Sequence, residues 1–277
     1  MHTFPKQFFK KLTLTGILTL LVLCLPVIAE EQAPNDVAEQ PQQEIDDTFF
    51  VVKFSAGDFL YESPLSDKKD IEINFLPNWT FYYKDVFFIE RTKVGANIYL
   101  DDNTFIDIVG KHNFDGLYYH GDDKAAQFSV SPFLPPFNYP SKNAHLSYLG
   151  GVEVKKYFGK EKITFGAYSD ISNVHHGEQI DLSWMHLFYN NDFKLAVEFG
   201  AQYKSDQLLE YYYGSPLVGD NVNYYSQIDA AYTLTDGLLL VFNYKFERLS
   251  SKIISSQVTD KKDLTSMFLG ISWSINL

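Results

Sequence analysis

The residues of this chain best suited to chemistry are few, and most lie in its second half. His175 and His176 are adjacent, and Glu178 follows two positions later. Imidazole and carboxylate both bind zinc, but a zinc site needs three or four ligands converging on one point. Adjacent histidines in a turn point apart, and no further ligands stand at ligand spacing. The group reads as a solvated loop, and no metal is expected. Ser172, Asn173 and His175 supply a hydroxyl, an orienting amide and a base, the residue types of a hydrolase. Their spacing does not match a lipase motif, so no catalytic residues and no cofactor are expected. Tyr211, Tyr212 and Tyr213 form a third cluster, between Glu210 and Gly214. They read as aromatic packing at a strand–loop junction, or as a contact platform, since tyrosine offers rigid amphipathic area. Arg248 falls on an outward position at a strand end, within reach of anionic headgroups or of Glu210.

The elements that must position these residues are strands. Leu195, Val197, Phe199, Ala201 and Tyr203 alternate with Lys194, Ala196, Glu198, Gly200, Gln202 and Lys204. Leu240, Phe242, Tyr244 and Phe246 alternate with Val241, Asn243, Lys245 and Glu247, and Leu146–Lys155 behaves likewise. Period two means one apolar and one polar face. The final segment sharpens the choice of fold. Met267, Leu269, Ile271, Trp273, Ile275 and Leu277 are apolar, separated by small or polar residues and Phe268. A strand of this kind at the end of a chain is how a bacterial outer-membrane barrel closes. Trp273, Ile275 and Leu277 are the candidate signal for barrel insertion, with Leu277 where an aromatic residue is usual. The aromatic content of 17% fits lipid-height girdles. After Ala29 no apolar run is long enough for a membrane helix.

The N-terminus fits that address. Lys6, Lys10 and Lys11 precede an apolar run from Ile17 to Ile28, and Val27-Ile28-Ala29 offers a cleavage site. Residues 1–29 are therefore expected to be a cleaved signal peptide, which would remove Cys24 and leave a cysteine-free mature chain. Losing three lysines would move the net charge from −12 to −15, which excludes nucleic acid as a partner. Residues 30–47 carry seven acids and no base, and are expected to be a disordered periplasmic arm.

Turn spacing sets the topology of residues 48–277. Short turns stand at Tyr83–Asp85, Asp101–Asn103, Gly159–Glu161, Asn190–Asp192 and Thr235–Gly237. Longer connections lie near 62–70, 115–143, 173–178, 206–221 and 250–263. The expected fold is all-β: a transmembrane antiparallel barrel of about 12 strands, with short periplasmic turns and long external loops. Twelve strands require a reversal near Thr92–Gly95; without it, ten is the fallback. Pro77 falls inside the second strand and would need a bulge.

Two stretches carry a family resemblance. One is Glu210-Tyr211-Tyr212-Tyr213-Gly214. The other runs from Arg248-Leu249-Ser250 through Asp260-Lys261 to Leu277, and Asp181 before Trp184 also fits. Together they resemble the MipA/OmpV family of outer-membrane proteins. The chain departs from that pattern at Ser251 and Ser255, where acids are usual, at Ser256-Gln257 and at Leu277. The resemblance implies a scaffolding role, joining a lytic transglycosylase to a peptidoglycan (murein) synthase in the cell envelope.

The functional expectation is a monomeric, non-enzymatic barrel in the outer membrane, in contact with its lipid and lipopolysaccharide. Inward charges of both signs (Lys53, Glu72, Glu153, Lys155, Lys194, Glu198, Lys204, Asp229, Lys245 and Glu247) suggest a salt-bridged lumen rather than the single-sign ring of a selective channel. Two alternatives stay open: a narrow, porin-like channel for small solutes, and a surface adhesin using the apolar run Phe133–Phe137.

Overall fold

The computed structural model describes residues 50–66, 70–73, 78–84, 86–90, 92–120, 144–214 and 217–276. The expected leader at 1–29 and acidic arm at 30–47, the run at 133–137, Pro77 and Leu277 lie outside them. The strands are β1 (Phe50–Tyr61), β2 (Ile71–Ile73), β3 (Asn78–Tyr83), β4 (Phe87–Glu90), β5 (Lys93–Asp101), β6 (Thr104–Asn113), β7 (Ser147–Phe158), β8 (Glu161–Asp170), β9 (Glu178–Tyr189), β10 (Phe193–Lys204), β11 (Val222–Thr235), β12 (Leu238–Arg248) and β13 (Asp263–Asn276). Each pairs antiparallel with its neighbours, and β13 returns to β1, from Val51↔Asn276 to Tyr61↔Ser266. The sheet closes, so no edge strand is left to aggregate.

The thirteen segments make twelve barrel strands, because β2 and β3 both pair with β1. Ser55 faces Asn78 and Phe59 faces Ile73. The second strand thus advances one residue more than β1 over that interval, which is the signature of a bulge. The reversal needed for twelve strands is present: Glu90 pairs with Lys93, and the chain turns between them. Gly95 is not in that turn. It sits inside β5 opposite Phe88 and Val109, where a side chain would collide with the Phe88 ring.

The five short turns join the strand pairs as expected, with Gly237 supplying a positive φ of 76° between β11 and β12. Outward positions form an apolar belt that includes Val152, Phe165, Leu182, Trp184, Phe199, Leu240, Leu269 and Trp273, all exposed. A belt of this kind needs lipid rather than water around it. Inward positions such as Asp107, Glu153, Gln179 and Lys204 are buried. The apolar core of the protein lies elsewhere. Leu65, Ala144, Leu208, Leu209, Tyr212, Tyr213, Leu249, Ile253 and Leu264 form one buried cluster, drawn from the long connections and the adjoining strand ends. The external loops therefore fold on one another as a cap.

Candidate functional site

Two short helices build the cap. Helix α1 (Asp206–Tyr213) begins at Ser205, whose Oγ accepts from the backbone N–H of Leu208, and ends at Gly214 with φ 84°. Helix α2 (Ser251–Ile254) begins at Ser250 in the same way. Leu208, Leu209, Tyr212 and Tyr213 recur at the spacing of one helical face, and all four are buried. Fully burying one leucine contributes about 1.5–3 kcal/mol. Asp206 ties the helices together: its carboxylate accepts from Lys252 Nζ at 2.5 Å and from Asn221 Nδ2 at 2.5 Å. These bonds, the lysine's first, hold its pKa below the ordinary 3.8.

The tyrosine cluster is therefore helical rather than a strand–loop junction, and most of it is packed rather than an open platform. Tyr213 Oη donates to Asp115 at 2.8 Å, and Tyr212 Oη donates to the His145 carbonyl at 2.9 Å. Burial pushes the Tyr212 phenol above its usual range. Tyr211 is half-buried and accepts from the His145 backbone N–H, and Glu210 stays exposed. Only Glu210, part of Tyr211 and Gly214 remain to meet a partner. Arg248 makes a two-pronged contact with Asp263, at 2.9 and 3.0 Å across the β12–β13 pair, in place of the anticipated Glu210.

The imidazole of His175 is not solvated either. Its side chain and that of Asp170 are fully buried. Nε2 lies 3.0 Å from Ser147 Oγ, and Nδ1 lies 3.9 Å from the Asp170 carboxylate. The residue order Ser147–His175–Asp170 imitates a hydrolytic triad, but the hydrogen bonds argue for a brace. Nδ1 accepts from the Gly177 backbone N–H at 2.9 Å, so it presents a lone pair, not a proton, to Asp170. A working triad needs the opposite tautomer. Asp170 instead accepts from the backbone N–H groups of Val174, His175 and His176. Ser147 is 1% exposed, and its oxygen is also bonded by Tyr212 Oη at 3.1 Å. Burial lowers the His175 pKa, with the Asp170 charge opposing, so the ring is neutral at pH 7.

Beneath the cap, charges pair along the lumen wall. Lys93 meets Glu153 at 2.5 Å, Lys111 meets Asp181 at 2.6 Å, and Lys155 meets Asp107. Lys245 meets Glu247 at 2.8 Å. Lys204 reaches Asp115 with both carboxylate oxygens at 2.8 Å, and both side chains are buried. Asp115 thereby joins β10 to Tyr213 of the cap. Tyr168 Oη donates to Glu153 at 2.7 Å, and Lys111 Nζ stands 3.5 Å above the Tyr168 ring centre. Beside these pairs Phe88, Val109, Leu149 and Tyr168 form a second apolar cluster. Of the expected inward charges, Lys53, Glu72 and Lys194 are exposed. The partners not among the expected inward charges, Asp107, Lys111 and Asp181, lie on the inward parity of β6 and β9, where alternation marks them.

Between cap and ion pairs lies a cavity of about 430 Å3, walled by β1, β4, β5, β6 and β9–β13 and roofed by residues of the 3-10 helix Phe114–His120. Among the described residues no group of three or more His, Cys, Asp or Glu is placed to hold a metal ion.

A family model described as MltA-interacting protein MipA matches residues 57–275. None of the curated proteins matches the chain. Solved structures similar to it include the NanC porin, at 12% identity and TM-score 0.41, over 82% of this chain and 98% of that one. Another is OccAB2 of Acinetobacter baumannii, at 12% and 0.35, over 85% and 66%. A third is the outer-membrane channel DcaP of Acinetobacter baumannii, at 8% and 0.32, over 82% and 95%. At such scores the likeness says nothing finer than that the chain is a barrel, which its own strand ladder already shows.

Proposed function

The chain belongs to the MipA family, matched over residues 57–275, and is an outer-membrane β-barrel; from that premise we propose that it is a non-enzymatic scaffold for murein enzymes. The partners would be a lytic transglycosylase, as the family's description denotes, and a peptidoglycan synthase. The observation that carries this reading is a lumen lined with paired charges of both signs beneath a packed cap. A barrel whose lumen charges are already paired leaves its surfaces to meet protein partners. On the periplasmic side these are the five short turns and the acidic arm at 30–47, which would follow removal of a leader at 1–29. On the outer side Glu210, Tyr211, Gly214 and Arg248 border the cap and would meet lipopolysaccharide or a partner. Trp273, Ile275 and Leu277 would carry the insertion signal, and the barrel would act as a monomer.

The test is binding of the folded full-length barrel, held in detergent, to a purified soluble lytic transglycosylase. Saturable binding that weakens when residues 30–47 are removed is the expected result. No binding, from a barrel that runs heat-modifiable on gels, would end the scaffold reading. A second reading, a narrow channel, draws on the cavity inside the lumen. Single-channel recording in a planar bilayer separates the two, since stable conductance steps require an open path and a closed barrel is silent.

A further inference from the structure

We propose that the cavity beneath the cap is a binding site for a neutral, hydroxyl-rich solute of about disaccharide size. The inference goes beyond the scaffold role and does not rest on it.

Four consecutive strands each line the cavity with one amide, stepping along the wall: Gln179 on β9, Gln202 on β10, Gln227 on β11 and Asn243 on β12. Two carboxylates fix the orientation of all four. Gln179 Nε2 donates to Asp181 at 2.9 Å, and Gln202 Nε2 donates to the same carboxylate at 3.1 Å. Gln227 Nε2 donates to Asp229 at 2.7 Å, and Asn243 Nδ2 donates to it at 2.5 Å. A carboxylate only accepts, so it draws the NH2 end of each amide and leaves the carbonyl end unengaged. None of these four carbonyl oxygens accepts a hydrogen bond from a described residue. The wall therefore presents its amide carbonyls as pre-oriented acceptors.

The neighbouring arc of wall is apolar. Phe59 and Tyr61 of β1 and Leu264 and Phe268 of β13 line it, and Phe114 and Leu117 contribute from above. A row of acceptors beside an aromatic surface matches a sugar ring, which carries hydroxyl donors on its rim and C–H groups on its face. Charge does not favour an ion. The lining holds Glu90, Asp115 and Glu247 against Lys93, Lys111, Lys204 and Lys245, and all four lysines are already paired. The cavity of about 430 Å3 lies in the range of about 300–1,000 Å3 usual for small-molecule sites. The wall is lowest at the β4–β5 hairpin. β4 has four residues where β7 and β9 to β13 have eleven to fourteen, and Glu90, Thr92 and Lys93 at the hairpin tip line the cavity.

The test uses the folded full-length protein in detergent, titrated calorimetrically with sucrose and with maltose, and with gluconate and putrescine as charged comparators. Saturable binding of a neutral disaccharide, tighter than either ion, is expected. Q202L and Q227L should each weaken it by about tenfold, a loss of one hydrogen-bond acceptor. Each change leaves its carboxylate a second donor, Gln179 or Asn243, so the barrel should still fold, as heat-modifiability on gels would show. Q202N, which keeps the amide but withdraws its carbonyl, serves where a leucine variant does not fold, and should also weaken binding. V218A, at an exposed position outside the cavity lining, should bind as the unaltered protein does. Absence of saturable binding by both sugars, sugar binding unchanged in the amide variants, or tighter binding of gluconate or putrescine would each overturn the proposal.

Discussion

The cap and the lumen close the same barrel by opposite means. The cap is held by apolar burial, with Leu208, Leu209 and Ile253 at 0% exposure, as in the interior of a water-soluble protein. The lumen is lined by lysines on carboxylates, carried by strands that the backbone ladder already fixes. Burial without direction tolerates reshaping but not removal of volume. Buried ion pairs tolerate loss of both members better than loss of one. The difference suits a barrel whose wall is permanent and whose cap, resting on a small cluster of side chains, can open locally without unfolding the wall.

Breaking the join between the two regions should have the largest effect. Lys204→Met leaves the buried Asp115 carboxylate with only Tyr213 as a charge-stabilising donor among its side-chain partners. A cost of about 3–5 kcal/mol is expected for such an orphaned charge. It would be read as a lower temperature for the gel shift from folded to heat-denatured form. The double change Lys204→Met with Asp115→Leu should recover most of that loss; if it is as damaging as the single change, the pair is not acting as an ion pair. Leu208→Ala tests the cap alone. It should cost the cap about 2–5 kcal/mol and expose residues 205–221 to protease, with the gel-shift temperature of the wall nearly unchanged. A parallel fall in both would mean that cap and wall melt as one unit. Ser205→Ala removes the helix cap and should cost about 1 kcal/mol by the same protease assay.

Acid offers a finer separation. His175 is neutral in the folded cap, with its pKa lowered from an ordinary 6.5 by burial. An opened loop takes up a proton below that pH, while the closed loop resists. Cap stability is therefore complete above about pH 6.5 and declines as pH falls through that value toward the lowered one. Asp170, Asp115 and His176 are the charged or titratable groups acting on the ring, and the two carboxylates moderate the effect. Asp206 responds lower, because its pKa is depressed and its contribution is lost only as pH falls below the ordinary 3.8. Protection of residues 171–177 against hydrogen exchange, taken relative to the intrinsic rate at each pH, should fall as pH drops below about 6.5, and His175→Gln should remove that dependence. An equal fall in the variant would assign the response to another group.

The wall was more legible in the sequence than the cap, for a physical reason. A strand with lipid on one side and side chains on the other must alternate, and tight turns demand Gly, Asn and Asp, so Leu195–Lys204 and Thr235–Gly237 announce themselves. The cap is built from long connections, where hydropathy has no regular period. Its longer helix was still marked, by Ser205 before Asp206 and Gly214 after Tyr213, a cap serine and a closing glycine with eight residues between them. The contacts of His175 with Ser147 and Asp170 were not legible, since they depend on how three loops and strand ends meet. Neither was the uniform orientation of the four amides, which two carboxylates impose only once strands β9 to β12 stand side by side.

The smallest effect is expected where the sequence drew most attention. Arg248 and Asp263 are both exposed, at 51% and 39% of their side-chain surfaces, and an exposed pair of this kind contributes about 0–1 kcal/mol in water. Arg248→Ala should therefore leave the gel-shift temperature and the protease resistance of the cap unchanged within error. Its place at the outer end of β12, on the lipid-facing side, gives the guanidinium a second use, because Arg binds phosphate through paired N–H groups. If that use is real, the variant embedded in vesicles should lose protection of the β12–β13 loop by added lipopolysaccharide, while Lys204→Met retains it. If both variants respond alike to lipopolysaccharide, Arg248 is only a surface partner for Asp263, and the outer rim owes its order to the apolar cap beneath it.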